Sequence, residues 1–161
     1  MPIRTALCAG MIGLAIPSMG QAEAARDNSL SQGERMIARC VDYARGEKLT
    51  PLSIGVIDLS GTLVAFKRQE GASPATADAA LLKARTALRL DAPTAVLGQV
   101  AAEDAATRDT FLIMQMTTLP GGIPFRDEAG RLAGAVGVSG GTAAQDVACA
   151  QKALEALPAK R

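Results

Sequence analysis

The sequence contains no histidine and no tryptophan, and Tyr43, Phe66, Phe111 and Phe125 are its whole aromatic complement. Without histidine the chain loses the commonest general base, the commonest metal ligand and the usual serine or cysteine triads together. An excess of one charge is missing too, since 17 basic residues face 16 acidic ones for a net charge of +1. A nucleic-acid binder would carry a basic stripe, so nucleic acid is not expected as a partner. No apolar run reaches the roughly 20 residues that a membrane-spanning helix requires.

The one sustained apolar run stands at the start, from Ala6 to Ile16. Arg4 is the only charge before it, Pro17 and Gly20 break it, and Ala22-Glu23-Ala24 follows with small residues where a signal peptidase reads. This is the pattern of a secretory signal. Cys8 lies inside the run rather than after it, which argues against a lipoprotein. The expectation is a signal peptide over 1–24 and a single domain over 25–161. That domain would be periplasmic or secreted, with no membrane insertion after cleavage. Cleavage removes Arg4 and Glu23 and leaves the net charge at +1. Cys40 and Cys149 remain, and in an oxidising compartment they read equally as a disulfide or as two buried thiols. Two cysteines alone cannot build the usual structural zinc site.

Along the remaining chain, Leu30, Gly33, Ile37, Val41 and Ala44 recur at helical spacing, which predicts a helix over about 31–45. Ser31 with Glu34 matches a capping box at its start, and Gly46 suits its end. Leu52, Ile54 and Val56 alternate as on a strand. Asp58-Leu59-Ser60-Gly61 is a turn and Thr62 to Arg68 the returning strand. Ser73-Pro74 opens a helix whose buried stripe is Ala77, Ala80, Leu81, Ala84 and Leu88. Asp91-Ala92-Pro93 interrupts it and starts a short helix to about Ala101. Thr110 to Met116 leans towards strand, with helix as the alternative. A second hairpin follows, from Ile123 to Arg126 and from Arg131 to Val138, and a helix marked by Ala143, Val147, Ala150, Leu154 and Leu157 closes the chain. Hairpin-linked strands imply an antiparallel sheet with helices on its faces. The first and last helices are expected as neighbours, and helical wheels put Cys40 and Cys149 on the same side of their apolar stripes.

Three segments carry the functional signal. Val138-Ser139-Gly140-Gly141-Thr142 runs from a strand into a helix start, where free amides attract anions. A plain capped turn, with Thr142 and Gln145 as a capping box, explains it equally. Pro120-Gly121-Gly122-Ile123-Pro124 is a stiff loop with one point of close backbone approach, or simply a strand entry. Lys83 and Arg85 could pair with ligand carboxylates, or lie on a solvated helix face.

Taken in order, these motifs form a recognisable set: Val56-Ile57-Asp58-x-x-Gly61-x-Leu63-Val64, Lys83-Ala84-Arg85-Thr86-Ala87, Pro93-Thr94, Gly121-Gly122-Ile123-Pro124 and Gly134-Ala135-Val136-Gly137-Val138-Ser139-Gly140-Gly141. Their order and spacing resemble the GlcG/HbpS (haem-degrading-type) family, whose relatives include the C-terminal domain of PduO. The resemblance covers about Leu30 to Leu157. It implies an α/β (α+β) profilin-like sandwich, with an antiparallel sheet of about five strands flanked by helices, assembled as a homo-oligomer. It also implies haem or a related tetrapyrrole as cofactor, in a storage or sensing role, and the absence of histidine and the few aromatics make low affinity the expectation. The ligand would be held around Arg85, Thr94, Gly121, Gly122, Gly140, Gly141 and Thr142. Thr94 would approach the iron, and Met114 and Met116 are the thioethers nearest the glycine loop. Two alternatives stay open. One is an enzyme acting on haem or a small carboxylate such as glycolate, with proton transfer falling to Asp58 or Asp146. The other is an oligomeric scaffold or sensor partner that binds a small anion.

Overall fold

The computed structural model describes the backbone of residues 19–158, with side chains from residue 30 onward. Residues 1–18, the greater part of the expected leader, lie outside the described residues. The elements in order are α1 (Met19–Gly46), β1 (Ser53–Asp58), β2 (Leu63–Arg68), α2 (Pro74–Leu90), α3 (Thr94–Glu103), α4 (Ala105–Ile113), β3 (Gly122–Arg126), β4 (Leu132–Ser139) and α5 (Ala143–Leu154). Every strand pairing is antiparallel, and the sheet order is β2-β1-β4-β3. The two hairpins therefore join through their inner strands, with Ile54 opposite Val138 and Val56 opposite Val136. Pro124 cannot donate to a ladder and sits in the edge strand β3, where that costs least.

The two faces of the sheet are built from different residues. On one, Ile54, Val56, Val136 and Val138 pack against Met36, Ile37, Cys40 and Val41 of α1 and Cys149, Ala150 and Ala153 of α5. Each large aliphatic side chain buried here contributes about 1.5–3 kcal/mol. Cys40 and Cys149 form a disulfide across the α1–α5 contact, with Cα atoms 4.8 Å apart. That settles the choice between bridge and free thiols left by the sequence. On the other face the inner strands offer Gly55, Ile57, Ala135 and Gly137, so α2 lies almost on the backbone. A Cβ on Gly137 would stand 1.9 Å from the Ala80 carbonyl oxygen.

Two local expectations change. Helix α1 runs unbroken from Met19, because Ala22, Glu23, Ala24 and Arg26 are strong helix formers, so Ser31 and Glu34 fall inside it rather than at its start. Thr110 to Met116 does not add a strand. Asp104 accepts hydrogen bonds from the amides of Ala106 and Thr107 and starts α4, which carries Thr110 to Ile113 into helix. The described sheet consequently has four strands rather than about five.

Candidate functional site

Two regions gather the residues that the sequence singled out, and α2 lies between them. The first is the corner where β4 passes into α5. Thr142 and Gln145 form the expected capping box: the Gln145 amide donates to the Thr142 hydroxyl, and the Thr142 amide to the Gln145 side chain at 2.9 Å. One turn further, Asp146 points back into the protein. Its Oδ1 accepts from the Gly141 amide at 2.9 Å, and its Oδ2 meets the Lys83 ammonium at 2.8 Å. Lys83 Nζ also donates to the Val138 carbonyl at 2.8 Å, and both side chains of this ion pair are about 95% buried, with relative exposures of 4% and 5%.

The other glycine turn reaches the same corner. Gly121 accepts from the Val138 amide at 2.9 Å and has a φ of +119°. A Cβ there would stand 2.6 Å from the Val138 carbonyl oxygen and 2.9 Å from Asp146 Cβ, so glycine is demanded both by conformation and by space. The Gly122 amide donates to Thr94 Oγ1 at 3.0 Å, and Thr94 is fully buried.

Thr94, Gly121, Gly122, Gly141 and Thr142 thus meet in one corner, with Gly140 beside Gly141 and packed on Pro51 and Leu52. The space between the two turns, however, holds Lys83 and Asp146. The amides of Gly122, Gly141 and Thr142 are engaged by Thr94, Asp146 and Gln145, and are not free for an acidic ligand. The hollow on the outer side of this corner is lined by Ala95, Pro120, Ala143, Ala144 and Val147 among others, with no charged side chain.

Arg85 is not part of that corner. Two residues along a helix turn the side chain by about 200°, so Arg85 faces away from Lys83. It is exposed and lines a separate groove of about 610 Å³. The groove's walls are Leu59, Leu82, Leu88 and Leu132; Arg89, one turn after Arg85, stands beside it; Ser60, Thr86 and Gln115 supply the neutral polar groups. Arg89 Nη1 donates to the Met114 carbonyl at 3.2 Å, which fixes the end of α4 against α2. Among the described residues neither Arg85 nor Arg89 is paired with a carboxylate, and none of the lining residues is acidic.

The expected iron contacts are scattered. Thr94 is buried in the glycine corner, Met116 is buried, and Met114 is 44% exposed at the end of α4. Among the described residues no group of three His, Cys, Asp or Glu side chains could hold a metal ion. Asp58 accepts from the Ser60 and Thr62 amides within the β1–β2 turn. With Asp146 in its ion pair, both carboxylates considered for proton transfer are engaged structurally. No helix among the described residues is long and apolar enough to cross a membrane.

Sequence reading missed Lys83 and Asp146 as partners, and Arg89. Lys83 falls three residues after Ala80 and four before Ala87, in the buried arc of α2, and that position was the available signal.

A four-stranded antiparallel sheet held between a disulfide-linked helix pair and one close-packed helix defines an α/β sandwich of the profilin-like class. Residues 29–155 match the model of the family described as "Haem degrading protein HbpS-like", and the chain belongs to that family. Similar solved structures include Klebsiella pneumoniae protein ORFY, at 28% identity and a TM-score of 0.73 over 79% of this chain and 88% of that one. The PduOC:haem complex is similar at 27% identity and a TM-score of 0.70, over 79% and 92% of the two chains. A double mutant of HbpS from Streptomyces reticuli matches at 24% identity and a TM-score of 0.73, over 98% and 100%, and at that identity shows the fold alone. No curated protein matches the chain.

Proposed function

We propose that this protein is an exported, self-associating binder of haem or a related tetrapyrrole, with low affinity and a storage or sensing role. The observation that carries this reading is the groove beside α2, where among the described residues Arg85 and Arg89 stand without a carboxylate partner above leucine walls. Haem presents an apolar ring and two carboxylates, and these residues suit both parts. Leu59, Leu82, Leu88 and Leu132 would cover the ring, and the two guanidiniums would take the carboxylates through charge-assisted hydrogen bonds. The groove's volume lies within the roughly 300–1,000 Å³ of small-molecule sites. When bound, haem would bring the redox chemistry of its iron, while the chain's own residues bind and orient the ring. The PduOC relative, solved with haem, supports the ligand class.

Low affinity follows from an open groove in a chain without histidine. The Cys40–Cys149 disulfide supports export, because such bonds persist in oxidising compartments. Self-association is supported by apolar side chains left in solvent, among them Ile113 at 82% and Leu112 at 68% exposure.

Titration of the purified protein with haemin tests the reading. A saturable Soret change is expected, weakened by about tenfold or more in Arg85→Ala/Arg89→Ala, since one hydrogen bond to a charged group contributes about 1.5–3 kcal/mol. A flat titration, or one identical in the double variant, overturns it.

A further inference from the structure

We infer that the groove recognises the tetrapyrrole by its ring and its carboxylates and is indifferent to the metal at its centre, so that metal-free protoporphyrin binds as well as haem. This rests on the reading of the groove as a tetrapyrrole site and specifies what that site selects.

The argument starts from the donors. Haem iron is ordinarily held by histidine, methionine, cysteine or tyrosine. The chain has no histidine, and none of the other three types lines the groove. Both described cysteines are fully buried in their disulfide. Tyr43 packs against the core on the α1–α5 side of the sheet, and Met116 is buried. The Thr86 hydroxyl accepts from the Thr117 amide at 3.1 Å and the Ser60 hydroxyl donates to Asp58 Oδ1 at 2.6 Å, which leaves the Gln115 side chain as the uncommitted neutral oxygen of the groove among the described residues. Met114 adjoins Gln115 in sequence but is not among the lining residues.

What the groove does offer is insensitive to a metal. Burial of a ring face against leucine scales with apolar area. The guanidiniums act at the ring's edge. Arg85 and Arg89 are four residues apart on α2, which sets their Cβ atoms about 5–6 Å apart on one helix face. Like charges at this spacing work against the helix, and here no carboxylate relieves them. A ligand with two carboxylates on one edge does so.

The test compares four probes on the purified protein, by absorbance and, for the fluorescent porphyrins, by porphyrin fluorescence: haemin, protoporphyrin IX, zinc protoporphyrin and protoporphyrin dimethyl ester. The first three are expected to bind with dissociation constants within about threefold of one another, and the ester about tenfold or more weaker. Arg85→Gln/Arg89→Gln should bring the free acids down to the ester, and Met114→Leu should change none of the four. Haemin binding tenfold or more tighter than metal-free protoporphyrin, or losing affinity in Met114→Leu, overturns the inference and leaves the tetrapyrrole reading standing. An ester that binds as well as the acid also overturns it, by removing the guanidiniums from recognition. If no probe binds, the tetrapyrrole reading itself fails, and this inference with it.

Discussion

Breaking the Lys83–Asp146 pair should cost more than any other single polar substitution in the described structure. Asp146→Ala removes the carboxylate that holds both the Lys83 ammonium and the Gly141 amide, and leaves an ammonium buried with the Val138 carbonyl as its remaining partner. Lys83→Met keeps the aliphatic stem and leaves a buried carboxylate with one amide. Removal of one member of a buried ion pair typically destabilises by about 3–5 kcal/mol, because the other charge stays desolvated and uncompensated. Against a total stability of about 5–15 kcal/mol that is a large share. With a urea dependence of about 1–3 kcal/mol per molar, each single variant should unfold at roughly 2 M lower urea. The double variant Lys83→Met/Asp146→Leu removes both charges, so its loss should be well below the sum of the single losses. Equilibrium urea unfolding followed by circular dichroism, with the disulfide intact, measures all three. Single losses below about 1 kcal/mol, or a double variant that simply adds them, would refute the view that this corner is held by a desolvated pair.

Three further outcomes follow from the same structure. Replacing both Cys40 and Cys149 by alanine opens a link between residues 109 apart. Melting should fall by on the order of 10–20 °C, from about 4–5 kcal/mol of lost chain constraint, and a change below about 5 °C would count against that constraint. Gly137→Ala drives a Cβ into the Ala80 carbonyl and the Ala84 amide, both rigid helix backbone, and should cost about 3 kcal/mol or more in urea unfolding. Gly46→Ala meets nothing within 4 Å and should stay within about 0.5 kcal/mol of the parent; equal costs at the two sites would contradict the packing of α2. Hydrogen bonds from the Thr107 hydroxyl and from the Thr107 and Ala106 amides hold the Asp104 carboxyl below its ordinary range. Its support for α4 is complete above the pH at which an unfolded aspartate titrates, and is lost as pH falls through the lower folded value. Amide exchange in α4 should therefore quicken on acidification, and Asp104→Asn should remove that response; an unchanged response would show that the cap's charge does not matter.

The hairpins, their turns and the helical stripes were legible because each is written locally. Alternation at Ile54 and Val56, the Asp58–Gly61 turn and the Thr142–Gln145 box need no distant partner to be read. Strand order was not legible, since nothing in β1 or β4 alone says that Val56 meets Val136. The segment Thr110 to Ile113 misled for a related reason. Its apolar β-leaning residues outweighed a cap six residues upstream, and no burial decides the matter, because α4 has no buried residue. At the β4–α5 corner the glycines were legible because they punctuate the chain. The residues that fill the space between them were not, because a lysine and an aspartate 63 positions apart carry no mark of being paired.

The division of labour on α2 explains why one cationic stretch reads so differently at neighbouring positions. Ala80, Ala84 and Ala87 form the contact line, and Gly55, Gly137 and Ala135 beneath them let the helix settle onto the strands. At that distance Lys83, on the same arc, has no path to solvent and reaches across to the start of α5. Arg85 and Arg89 lie on the opposite arc and stay in water over the leucines of the groove. Rotating α2 by one residue, about 100°, would take Lys83 from its anion and turn the guanidiniums towards the sheet. The glycines under the helix therefore determine which cations serve the fold and which are left for a ligand. A larger residue at Gly137 should accordingly disturb binding at the groove as well as stability, even though it touches neither arginine.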